Sequence, residues 1–184
     1  NVPFYDKALL ERAAKDSGLC QEIFENHDEK PTNSFLYSLV MDTYSFGYNA
    51  SSFVDMPISH KVFLAQFDTI KKLADEASCV IVGRCADYAL EDYPNVVSVF
   101  ITGDDKDKLK RLQELYKVDE SKAKDIMIKT DKQRSNYYNY YSNKKWSDPR
   151  SYDLCINSSK VGADGAVDVI MNFAKVKQAW NRQK

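Results

Sequence analysis

The hydrophobic positions fall into two kinds of pattern that alternate along the chain. From Asp6 onward Leu9, Leu10, Ala13 and Ala14 recur at helical spacing, with Asp6 placed to cap the helix and Gly18 to stop it. A second short helix is predicted over Leu19–Glu25. The polar stretch from Asn26 to Thr32, closed by Pro31, reads as a loop. Between residues 33 and 58, Phe35, Leu36, Leu39, Val40 and Tyr44 suggest another helix before the pattern dissolves over Gly47–Ser52. Pro57 and Ser59 then open a clear amphipathic helix, with Phe63, Phe67, Ile70 and Ala74 on one stripe and Leu73 beside it.

Three short, continuous apolar runs follow: Cys79-Val-Ile-Val-Gly83, Asn95-Val-Val-Ser-Val-Phe-Ile-Thr102 and Tyr152-Asp-Leu-Cys-Ile-Asn157. Such runs read as strands of a parallel sheet covered on both faces. Helices are expected over Lys106–Tyr116, from Asp119 to about Ser142, and over Ala166–Val176. Alternating strands and helices predict a three-layer α/β/α fold with a mostly parallel sheet. Only Val2–Tyr5 offers a strand before residue 79. A sheet of this kind needs a central strand, so a further strand and helix are expected upstream of Asn1, where the chain opens without a Met.

The 184 residues suffice for one domain with a substantial core. With 43% hydrophobic and 29% charged residues, six Gly and five Pro, the composition is globular and excludes fibrous or linker-like chains. The apolar runs, such as Val62–Ala65 and Cys79–Val82, are too short to span a bilayer, and no secretory segment opens the chain. Four cysteines never reach Cys-x-x-Cys spacing, and two lie within apolar runs. Buried, reduced thiols in a cytoplasmic protein are the expectation. Two histidines, His27 and His60, are too few for a His-built metal site or a Ser-His-Asp triad. The net charge of −1, from 26 Lys and Arg against 27 Asp and Glu, argues against a binder of duplex nucleic acid.

Candidate chemistry gathers in four places. Val82-Gly-Arg-Cys-Ala-Asp87 lies just past the carboxyl end of a strand, where open α/β sheets bind ligands. Arg84 there is suited either to fork onto a phosphate or to pair with Asp87 or another nearby acid. Residues 129–150 hold six cations (Lys129, Lys132, Arg134, Lys144, Lys145 and Arg150) and two acids (Asp131 and Asp148), a local charge of +4. This segment suits a lid over a polyphosphate, with Asp131 and Arg134 on one helix face. It equally suits a solvated face whose tyrosines pack inward, or a single-strand-binding surface of interleaved aromatics and cations. The run from Asp104 to Arg111 places acids first and cations later, as the helix dipole favours, and leaves Lys108 and Arg111 to face a phosphate if the helix starts at the sheet edge. Phe4-Tyr-Asp6, with Arg12 beyond it, is otherwise a cap and a surface arginine. No Gly-x-x-x-x-Gly-Lys-Ser/Thr loop occurs.

Jointly, Val2-Pro-Phe-Tyr-Asp6, Cys79 to Asp87, Asp131-Lys-Gln-Arg134 with Tyr137, Tyr138, Tyr140 and Tyr141, Lys145-Trp146, and Tyr152 to Asn157 resemble the cytidylate kinase-like family of P-loop nucleoside-monophosphate kinases. The resemblance spans nearly the whole chain in family order. It implies a single nucleotide-kinase domain over residues 1–184, with an acceptor-binding insertion at 26–58, where the match is poor, and a lid at about 110–150. It implies ATP and Mg²⁺ as donor and cofactor, and CMP or a similar nucleotide as acceptor. By the same resemblance, Asp6, Arg12, Arg84 and Asp87 would serve the acceptor. Arg84, Arg134 and Asp131 would act at the transferring phosphate. Lys110, Arg111, Lys132, Asn157 and Ser158 would hold the donor. The family's glycine-rich phosphate loop should come just before Val2. A nucleotide sensor without that loop, a kinase of another small molecule and a single-stranded RNA binder are the rival expectations.

Overall fold

The longest run of buried side chains lies in one helix, Ile58–Glu76, where His60, Val62, Phe63, Leu64, Gln66, Phe67, Thr69, Ile70 and Leu73 are all buried. The structure is a computed structural model that describes residues 2–29 and 57–183. The helix and loop expected within residues 33–56 fall outside the described residues. In chain order the described elements are β1 (Phe4–Tyr5), α1 (Lys7–Ser17), α2 (Gln21–His27), α3 (Ile58–Glu76), β2 (Val80–Ile81), α4 (Ala86–Ala89), β3 (Val99–Thr102), α5 (Asp105–Tyr116), α6 (Glu120–Ser142), a 3₁₀ turn (Pro149–Ser151), β4 (Leu154–Asn157) and α7 (Ser158–Asn181). The chain divides into two compact units, Asn1–Leu90 and Glu91–Lys184.

In the first unit α3 packs against α1, α2 and α4. Leu10, Ala13 and Ala14 of α1, Phe24 of α2 and Val62 of α3 form a buried cluster, edged by Leu19, Ile23 and Ala65. Each fully buried Leu, Val or Phe contributes about 1.5–3 kcal/mol of apolar transfer, which outweighs the weak helix-forming tendency of so short a helix as α2. Gly18 ends α1 in the left-handed conformation (φ 71°), as the sequence predicts. Asp6 precedes α1 but makes no side-chain capping bond; its carboxylate is used elsewhere. β1 pairs in parallel with β2, Phe4 opposite Val80 and Tyr5 opposite Ile81.

The second unit pairs β3 with β4 in parallel, from Val99 opposite Leu154 to Thr102 opposite Asn157, with α5 and α6 in the crossover. Its core is aromatic: Tyr137, Tyr138 and Tyr141 of α6 are buried with Ala123, Ile156 and Ala166. Tyr138 stacks on Tyr152 at 5.7 Å, Tyr152 lies 5.0 Å from Phe100, and Trp146 meets Phe100 edge-on at 5.3 Å. Asp153 accepts from the Ser98 amide at 2.9 Å and from Lys177 Nζ at 2.7 Å, pinning the start of β4 to β3 and to α7.

Two expectations are corrected. The strands are not covered on both faces: Val80 is 50% and Ile101 55% exposed, so the face each of them stands on is not fully covered. Nor are the thiols uniformly buried. Cys85 is, but Cys79 is half-buried and Cys20 and Cys155 are exposed. Cys155 follows the alternation of β4, in which Ile156 turns to the core and its neighbour turns away. Among the described residues no helix is long and apolar enough to cross a membrane.

Candidate functional site

The turn after β2 is unusual in its backbone. Gly83, Arg84 and Cys85 have φ of 72°, 53° and 55°, three left-handed residues in succession. L-residues adopt that conformation at a cost of roughly 1–2 kcal/mol each, so the surroundings must hold it. Gly83 is favoured by its positive φ; an added Cβ would also lie 2.8 Å from Glu29 Oε1, the end of a flexible side chain that can swing aside.

What holds the turn is the Arg84 side chain, only 5% exposed. Nε donates to Asp28 Oδ1 and Nη2 to Asp28 Oδ2, both at 3.0 Å, a side-on bidentate pair. Nη1 donates to Asp6 Oδ1 at 3.0 Å and to the Val82 carbonyl at 2.9 Å. At least four of the five guanidinium N–H groups are therefore engaged. Burial works to lower the Arg84 pKa. The bonds from Asp28 and Asp6 and the nearby charge of Glu29 outweigh it, so the net shift is upward and the cation is held firmly. Gln66 Nε2 makes a longer contact, 3.4 Å, to Asp28 Oδ1.

The sequence leaves open whether Arg84 grips a phosphate or a nearby acid. In the structure it grips acids, distant in sequence rather than local: Asp28 lies 56 residues away and Asp6 78. The structure thus brings Asp6 and Arg84 together. Asp87 stands, half-buried, in the first turn of α4. Arg12 is drawn to a different neighbourhood: it bonds Asp16 at 3.3 Å and Glu76 at 2.7 Å, and Lys72 joins Asp16 at 3.5 Å, a solvated network linking α1 to α3.

In the second unit Asp131 of α6 pairs with Lys108 of α5 at 3.3 Å, tying the two helices together, whereas the sequence pattern points to Arg134 as its companion. Arg134 and Lys132 are exposed on α6, and Lys110 and Arg111 are exposed on α5. Where β3 and β4 end, Asn157 Nδ2 donates to Asp104 Oδ1 at 2.8 Å, and Asn157 Oδ1 accepts from the Ser159 amide at 3.0 Å. Ser158 Oγ donates to the Thr102 carbonyl at 2.8 Å. Lys160 Nζ reaches Asp104 Oδ2 at 2.6 Å, and its bond, with that of Asn157, holds the Asp104 carboxyl below its usual pKa. Asn157 and Ser158 thus sit at one strand end, as expected, with their polar atoms engaged in joining β4 to β3 and α5. Sequence reasoning missed Asp28 and Lys160, and read Asp104 only as an acid at a helix start. Only Asp104, at a helix start beside a strand end, carried a signal.

Fold and site together describe a mixed α/β protein, mostly helical with small parallel sheets, with a buried arginine paired to two carboxylates past β2 and an exposed Lys160–Asp104 pair where β3 and β4 end. Residues 1–160 match the cytidylate kinase-like family, and the chain belongs to that family. It is also similar to a solved structure, that of an uncharacterized protein from Eubacterium ventriosum, with 34% identity and a TM-score of 0.69 over 95% of this chain and 83% of that one. No curated protein matches it.

Proposed function

We propose that the protein is a cytoplasmic phosphotransferase that moves the γ-phosphoryl of ATP to a nucleoside monophosphate, CMP or a similar nucleotide. The observation that carries this, beside membership of the family, is the Gly83–Arg84 turn. A buried guanidinium just past a strand end is already shaped to take two oxygens of one anion side-on. Phosphoryl transfer asks for positioning and charge neutralisation rather than a covalent nucleophile, and arginines and lysines supply both. On this reading Arg84, with Asp6, Arg12 and Asp87, serves the acceptor. Lys110, Arg111 and Lys132 serve the donor's phosphates, Asn157 and Ser158 its base, and Arg134 and Asp131 the transferring group. The chain is then one nucleotide-kinase-like domain of the three-layer P-loop type, with 26–58 as its acceptor insertion and about 110–150 as its lid.

Mg²⁺ is implied by the family. Among the described residues no three His, Cys, Asp or Glu side chains converge to cage a metal. Mg²⁺ in phosphoryl transfer is carried mainly by the donor's phosphates with one or two carboxylates, so it would arrive with the nucleotide rather than occupy a protein cage.

The test is a panel of nucleoside monophosphates with ATP and Mg²⁺ on the full-length protein, reading diphosphate formation. CMP or a close relative should turn over, and Arg84→Ala should lower kcat/KM by about two to four orders of magnitude through loss of the clamp, with circular dichroism confirming the fold. Absence of turnover across the panel overturns the activity. A loss under roughly threefold removes Arg84 from the site.

A further inference from the structure

If Arg84 serves the acceptor's phosphate, its grip is already taken. Both nitrogens of the side-on edge, Nε and Nη2, are spent on Asp28. Nη1 is spent on Asp6 and on the Val82 carbonyl. With 5% of the side chain exposed, there is no second face on which an anion could land. A phosphate must therefore take the place of something now bound. The Val82 carbonyl belongs to the backbone that leaves β2 and cannot withdraw without breaking the turn. Asp6 offers one oxygen, on the segment that joins β1 to α1. Asp28 offers two, and a carboxylate and a phosphate present the same pair of oxygens to a guanidinium edge. Asp28 also follows the last residue of α2, a helix of seven residues, and its side chain is 25% exposed, so a way out to water is open. Charge points the same way. Among the described residues Arg84 faces Asp28, Asp6 and Glu29, and a phosphate added to that set without a departure would meet repulsion from the carboxylates.

We infer that Asp28 is a resident counter-ion of Arg84 that the acceptor's phosphate must displace, and that it thereby sets acceptor affinity. This rests on the reading that Arg84 serves the acceptor. Asp28 keeps the buried guanidinium paired while the site is empty and holds the strained 83–85 turn in place. The same bidentate bond is then a tax on every acceptor, collected as weaker binding.

The experiment compares CMP binding by titration calorimetry, and KM for CMP, in the full-length protein and in Asp28→Asn, which keeps the shape and one acceptor oxygen but not the charged pair. Asp28→Asn should tighten CMP binding by about three- to tenfold, with the change in KM larger than that in kcat. Glu29→Gln removes the same unit of charge without vacating the fork and should shift binding by less than about twofold. Equal or weaker binding by Asp28→Asn, no CMP binding by either protein, or an equal effect of Glu29→Gln overturns the displacement. Should Asp28→Asn not fold, the ¹⁵N resonance of Arg84 Nε in the unmutated protein decides: saturating CMP should shift it, and an unmoved signal refutes the exchange. An Arg84→Ala protein that keeps its activity sinks the parent reading. One that loses its activity while Asp28→Asn binds no tighter sinks this inference alone.

Discussion

Arg84 is buried beside two left-handed neighbours, and the cost of that backbone is balanced by bonds the local sequence does not reveal. Gly83→Ala places a Cβ on a backbone at φ 72°, where L side chains are strained, while Glu29 Oε1, 2.8 Å from that Cβ, can move aside. It should cost about 1–2 kcal/mol or more, read as a lower urea midpoint with an unchanged slope; an unaltered midpoint would mean that the turn relaxes freely. Asp148 supplies a pH test. Its carboxyl accepts from the Arg150 side chain at 3.0 and 2.7 Å and from the Arg150 amide at 3.0 Å, and these bonds, with the positive charges of Arg150 and Lys145, lower its pKa to about 2. Because the folded value is depressed, the stabilisation is complete above the unfolded carboxylate value. It fades as pH falls from there through about 2. Carboxyl ¹³C titration should find the Asp148 midpoint near 2, and Arg150→Ala should return it toward the ordinary carboxylate range. Both partners lie within one Asp-Pro-Arg turn, so this pair is legible from the chain. The Arg84–Asp28 pair, 56 residues apart, is legible only once α2 and the end of β2 are folded together.

Elements were easier to read than their partners. The helix around Phe63, Phe67 and Ile70 could be seen because its apolar stripe is continuous, and the structure buries those three with Leu73. Asp119 could be anticipated as the start of α6, where its carboxylate accepts from the Lys122 amide at 2.8 Å. The α7 start could not. Periodicity marks only Ala166–Val176, yet the element runs Ser158–Asn181 with a break at Gly162 (φ 71°, ψ 177°). Its first turn is held by Asn157 and Asp104 rather than by an apolar stripe, so hydrophobic spacing is silent there. Strand coverage differs from the sequence expectation for a related reason. An apolar run shows that a strand is favoured, but coverage depends on what packs over each face, and the run itself carries no record of that. The candidate site divides along the same line: Arg84 and Asp131 are legible by position, while Asp28 and Lys108, which fix them, are contributed by other elements.

At the scale of the molecule, the decisive question is what the tyrosine-rich end of α6 is for. Six cations and four tyrosines within residues 129–150 make a single-strand-binding surface conceivable from sequence. Such a surface needs aromatic faces open to stacking, and Tyr141 is 0%, Tyr137 4% and Tyr138 7% exposed. Tyr137 and Tyr140 lie 4.8 and 4.9 Å from the Tyr141 ring, and Tyr138 is stacked on Tyr152. The rings are therefore occupied with one another, and a net charge of −1 adds no general attraction for a polyanion. Tyr141→Ala should accordingly act on stability, by about 3–5 kcal/mol as for other large aromatic truncations in a core, and appear as a sharp fall in Tm. Fluorescence anisotropy with an oligouridylate at about 0.15 M salt should show no saturable binding to the unmutated protein, since the electrostatic part of such binding is strongly screened there. Saturable binding that survives that salt, and that a still-folded Tyr141→Ala loses, would return these tyrosines to a nucleic-acid surface. If Tm falls and no oligonucleotide binds, the aromatic end of α6 is the core of its unit rather than a nucleic-acid surface.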